Sequence, residues 1–144
     1  MKTPEEISVR VKSVLAGTSG QFRPGAFFDD RLDCIRVITR DCSVVETRIN
    51  GYLTVLEASY ANDKDMTPFV GFTIKGATHF CSEAGLSLNT PIRVGRLLDA
   101  IVKLFPDSLM EAFVAGVLRP LLKEGQIEEV EISEAPGAPE LQPV

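Results

Sequence analysis

One histidine, His79, and three cysteines, Cys34, Cys42 and Cys81, are the whole supply of imidazole and thiol in 144 residues. Any histidine-dependent triad or metal site must therefore use His79. The C-x7-C spacing of Cys34 and Cys42 and the H-x-C spacing of His79 and Cys81 are not those of structural zinc sites, and no metal or cofactor is expected. An odd cysteine count without a C-x-x-C pair is poor material for a disulfide framework and suits reduced thiols. No apolar run reaches the length of a membrane span. The opening "MKTPEEISVRVKSVLAG" is broken by charges and lacks the continuous apolar core of a secretory signal. A cytoplasmic protein without membrane association is expected.

A basic surplus is also missing. The net charge is −5, and the six acidic residues from Glu124 onward (Glu124, Glu128, Glu129, Glu131, Glu134, Glu140) meet no basic one. Residues 1–123 thus carry 15 basic and 14 acidic side chains, which gives a phosphate backbone no broad footprint. Nucleic-acid binding is disfavoured. The glycine-rich "GTSGQFRPG" lacks the Gly-Lys-Ser/Thr ending of a phosphate-binding loop.

What is present fits a single α+β domain over residues 1–133, followed by a disordered acidic, proline-rich tail over 134–144. Thr3, Pro4 and Glu6 form a capping signal, and Ile7, Val11, Val14 and Leu15 share one helical face, predicting an N-terminal helix. From Ala26 to about Lys75 the grammar is that of strands. "CIRVIT", "SVVETRI" and "FVGFTIKG" are rich in β-branched residues, and Asn50-Gly51 favours a type I′ hairpin turn. An antiparallel meander of about four strands is expected.

Two C-terminal helices should follow, packed as a pair on one sheet face. The first is capped by Asn89 or Thr90, with Pro91 in its first turn. The second is opened by a Ser108–Glu111 box, and Pro120 is expected to kink or break it near Val117 to Arg119. "QIEEVEI" offers a short additional strand.

The strand block over residues 27–77 resembles a group of short bacterial domains of unknown function. These open on Tyr-Asp, an acidic turn and Asp-x-Leu-Tyr-Ile, and close on Val-Gly-Ile-x-Ile. The matching residues are Phe28-Asp29, Asp30 and Arg31, Asp33-Cys34-Ile35, Glu46, and Val70-Gly71-Phe72-Thr73-Ile74. Phe28 and Cys34 depart from the pattern. The resemblance implies a small β-meander and no mechanism.

"FFDDRLDCIRV" concentrates the candidate chemistry. Asp29, Asp30 and Asp33, joined by Asp41 and Glu46, suit cation ligation or acid and base work; the same residues suit a turn held by side-chain to backbone bonds. His79 beside Cys81 suits an activated thiolate if that segment is extended. Arg36, Arg40 and Arg48 are expected to pair across strands with Asp41, Glu46 or Glu57.

The preferred expectation is a non-enzymatic binding or assembly module that forms a homodimer through apolar helix faces. One alternative is a small hydrolase or metal-dependent enzyme using Asp29, Asp30 and Asp33 with His79. The other is a regulatory, antitoxin-like protein that engages a protein partner through its acidic tail.

Overall fold

The computed structural model describes residues 23–59 and 68–134. The chain runs β1 (Gly25–Asp29), β2 (Cys34–Ile38), β3 (Val44–Arg48), β4 (Leu53–Ala58), β5 (Phe69–Lys75), α1 (Ala77–Ala84), α2 (Val94–Leu104), α3 (Ser108–Phe113), a π-helical segment (Val114–Leu118), α4 (Arg119–Glu124) and β6 (Ser133–Glu134). The expected N-terminal helix and the tail beyond Glu134 lie outside the described residues. No helix among the described residues is long and apolar enough to cross a membrane.

The strands form one mixed sheet in the order β3-β4-β5-β2-β1-β6. The chain is α+β, but this corrects the expected meander of four strands. β5 inserts between β4 and β2, and β6 joins β1 in parallel. The reason lies in how little of each strand tolerates water. Val70, Gly71, Phe72, Thr73 and Ile74 are all buried, so β5 takes the centre, whereas β3 exposes four of its five residues and takes an edge.

Strand register separates two faces. Ala26, Ile35, Val37, Leu53, Val55, Phe72 and Ile74 point to the helical layer and form the core with Phe80, Leu97, Leu98, Ile101, Leu118 and Leu122. Phe27, Arg36, Thr73, Thr54 and Arg48 make one cross-strand row on the opposite face.

The expected helical pair is corrected as well, because α1 adds a helix where the sequence carries no local start signal. Gly76 occupies the cap position at φ 65 and supplies no side-chain bond. Its helix is capped instead from the β1–β2 turn, as described below.

α2 starts at Val94 rather than at Pro91. Thr90 is held in a turn by the bond from its Oγ1 to the Ser87 carbonyl, and Ile92 accepts from Ile132 N–H. The N–H groups of Val94 and Gly95 donate to the carbonyls of Val130 and Glu128, so the C-terminal segment satisfies donors that a helix start leaves open. Residues expected as the strand "QIEEVEI" serve this purpose, and the strand itself falls at Ser133–Glu134.

Asp107, not Ser108, caps α3 by accepting from Met110 N–H. Pro120 does not end the helical run. The preceding turn widens into the π segment, where Arg119 N–H reaches back to the Val114 carbonyl, and the rod continues to Glu124. The Asn50 turn also differs from the expected type I′. Neither Asn50 nor Gly51 has positive φ, and Asn50 Oδ1 instead accepts from the N–H groups of Tyr52 and Leu53.

Gly71 sits where the β5 backbone comes close to β2. A Cβ placed there would lie 2.0 Å from the Val37 carbonyl oxygen of β2. Gly71→Ala is therefore expected to force β5 away from β2 and cost about 3 kcal/mol or more, measured by urea denaturation.

Candidate functional site

The aspartates of the opening motif do separate jobs. Asp29 Oδ1 accepts from the N–H groups of Arg31 (3.0 Å) and Leu32 (3.3 Å), closing the β1–β2 turn. Asp33 adopts the left-handed conformation at φ 50, which turns it toward α1. Its Oδ1 accepts from Thr78 N–H (2.9 Å) and Thr78 Oγ1 (2.6 Å), while its carbonyl accepts from Ala77 N–H. Asp33 is thus the missing cap of α1, contributed from the other end of the strand block. Asp30 is exposed in the turn.

The segment holding His79 and Cys81 is helical rather than extended, and two positions along a helix point to nearly opposite sides. Cys81 faces the core, where burial and then Asp33 raise its pKa above the ordinary thiol value. His79 faces outward with Nε2 2.8 Å from Glu83 Oε1, and Tyr52 donates its hydroxyl to Glu83 Oε2 at 3.3 Å. Cys42 is exposed in the β2–β3 connection. Among the described residues, no three His, Cys, Asp or Glu side chains converge where a metal ion could be held.

A different set of residues does converge. On the sheet face away from the helices, Phe27 and Asp29 of β1, Leu32 of the turn, Cys34 and Arg36 of β2, Glu46 of β3, and Thr73 and Lys75 of β5 line a recess of about 570 Å³. That size lies within the range of small-molecule sites. Phe27 and the 73% exposed Leu32 supply apolar surface at one side. On the other side, Lys75 Nζ lies 3.9 Å from Glu46 Oε2, an exposed pair bridging from β5 to β3 across β4.

Two polar groups of the recess lack partners. The Arg36 side chain, expected to pair across strands, has no hydrogen bond or ion pair among the described residues, since Asp29 serves the turn and Glu46 faces Lys75. Beside it in the register, Thr73 is 4% exposed and its Oγ1 is buried without a hydrogen-bond partner. Leaving such a hydroxyl unsatisfied costs about 1–3 kcal/mol. Arg48 also departs from the expected pairing, donating from Nε to the Asn50 carbonyl.

Cys34 lies against this recess. Burial, then Asp29, raises its pKa, with Asp33 adding to this and Arg36 and Lys75 opposing it. The net effect keeps the thiol protonated, which disfavours nucleophilic use near neutral pH.

Sequence reasoning missed Arg36, Thr73 and Lys75 as a group because β2 and β5 are far apart in the chain. The available signal was the polar residue inside each apolar strand, Arg36 in "CIRVI" and Thr73 in "FVGFTIK".

Two outcomes check this description. Asp33→Ala should lower stability by about 1–2 kcal/mol in denaturant titration, and Asp33→Asn, which keeps an acceptor and tolerates positive φ, by less. Iodoacetamide labelling followed by mass spectrometry at pH 8 should modify exposed Cys42 first. Cys34 should react more slowly than in the unfolded chain and accelerate as pH passes its raised pKa. Comparison of the sequence with family models, with curated proteins and with solved structures returned no match.

Proposed function

We propose that this chain is a non-enzymatic binding module whose recess, on the sheet face opposite the described helices, takes a small amphipathic anion. The carrying observation is the unpaired Arg36 guanidinium beside the unsatisfied Thr73 hydroxyl, both lining a recess with an apolar side. An exposed guanidinium with no protein partner recognises an anionic group through charge-assisted hydrogen bonds. Phe27 and Leu32 receive the apolar body of the ligand, and movement of the exposed Arg36 side chain onto the anion opens the buried Thr73 hydroxyl to an acceptor atom.

Support for binding over catalysis comes from the carboxylates. Asp29 Oδ1 is engaged by the turn's N–H groups, Asp33 Oδ1 by the N–H and hydroxyl of Thr78, and Glu46 faces Lys75. The His79–Glu83 pair sits on the outer face of α1, beyond the strands that line the recess.

The test uses anilinonaphthalene sulfonate as the anionic probe and phenylnaphthylamine as its uncharged counterpart, with near-UV circular dichroism confirming the fold. The sulfonate should bind the native protein, and Arg36→Ala should weaken it about tenfold or more. Thr73→Val should weaken it by a smaller factor. Equal affinity of Arg36→Ala for the sulfonate, or equal affinity of the native protein for both probes, would contradict the proposal.

A further inference from the structure

β3 ends the sheet with an edge that is unusually well matched to itself. Ile49 N–H donates to the Leu53 carbonyl, and Ser59 N–H donates to the Ser43 carbonyl. In antiparallel pairing the bonded residues alternate, so Ser43, Val45, Thr47 and Ile49 turn their main-chain groups toward β4. The N–H and C=O groups of Val44, Glu46 and Arg48 consequently point outward, away from the sheet. On the side-chain level, Val45 and Ile49 are 54% and 42% exposed, two of the five exposed large hydrophobic residues among the described ones. The opposite edge, β6, has only two residues.

The helices offer less to a partner. Leu97, Leu98, Ile101, Met110, Val114, Leu118, Leu121 and Leu122 are buried within the monomer, and Leu109 alone of the large helical hydrophobics stands fully out at 81% exposure. The surface that a second copy fits best is therefore the strand edge.

We infer that β3 pairs antiparallel with β3 of a second copy, about a two-fold axis at Thr47. This register places Glu46 opposite Arg48 in both halves of the ladder, and each such pair exchanges two main-chain hydrogen bonds using the outward-pointing groups. It also sets Val45 against Ile49, covering apolar surface that the helical layer leaves bare. Centring the axis on Glu46 instead would oppose two carboxylates, and centring it on Arg48 would oppose two guanidinium groups. Charge thus favours the Thr47 axis over the axes at Glu46 and Arg48, and it is the one that pairs Glu46 with Arg48. The interface is isologous and closes on itself, so it yields a dimer rather than a fibre. It also brings Arg48 of the second copy next to Glu46, a wall of the recess, so each copy contributes a cation at the margin of the other's site.

Sedimentation equilibrium of the full chain should give a dimer whose affinity falls about tenfold or more in Val45→Lys, with Leu109→Lys leaving it unchanged. Register is read by cross-linking in a Cys42→Ser background. Thr47→Cys should form an intermolecular disulfide on mild oxidation, because residues facing each other at the axis fall within disulfide reach. Val45→Cys, whose counterpart lies far along the strand, should not. A wild-type monomer at all concentrations would overturn the inference. So would a dimer sensitive to Leu109→Lys and not to Val45→Lys, or cross-linking of Val45→Cys in place of Thr47→Cys.

Discussion

The pairing of β2 with β5 is the contact on which the rest of this molecule depends. It joins two halves of the strand block that are separated by an entire hairpin, and it requires the β5 backbone to come so near Val37 that only glycine fits at position 71. Once made, it buries Ile35 and Val37 against Phe72 and Ile74 on one face, which supplies the floor for the helices. On the other face it sets Arg36 beside Thr73 and Cys34 beside Lys75. The core and the recess are therefore two sides of one ladder.

A second tie is made by the chain's C-terminal segment. Residues 128–132 give their carbonyls and amides to the start of α2, and Arg119 reaches both Glu128 and Asp99 at about the same place, with contacts of 2.9 and 3.0 Å. Gly95 packs closely in this arrangement, since a Cβ there would lie 3.0 Å from the Glu128 side chain and 3.2 Å from its carbonyl oxygen. From there the chain passes to β6 beside β1, so the last strand locks the sheet edge farthest from β3.

How much of this was legible depends on whether the determining contact is local. The strands at Cys34–Ile38, Val44–Arg48 and Phe69–Lys75 were readable from β-branched content, and the helix at Val94–Leu104 from its apolar periodicity. The order of strands was not, because nothing in a strand's own residues names its neighbour; only the uninterrupted burial of β5 hinted at a central position. α1 was invisible for the same reason, since its cap lies in another element. The aspartates were found, but their roles were divided by a backbone angle at Asp33 that no pattern of residue types specifies. Of the recess, the residue pattern picks out Glu46 and the acidic turn as chemistry, points Arg36 to cross-strand pairing, and gives Thr73 no role beyond its strand.

The Asp33 cap carries a further meaning for how the molecule breathes. A helix of eight residues without a cap of its own is too short to persist in water. The existence of α1 is therefore conditional on the β1–β2 turn holding its shape, and on Lys75 and Gly76 delivering the chain to it. Turn and helix form one cooperative unit, in which amide exchange at Ala77 and Thr78 reports the opening of a loop more than forty residues away. The same short turn thus links the edge of the recess, through Asp29, to the helix that carries His79 and Glu83 beside Tyr52.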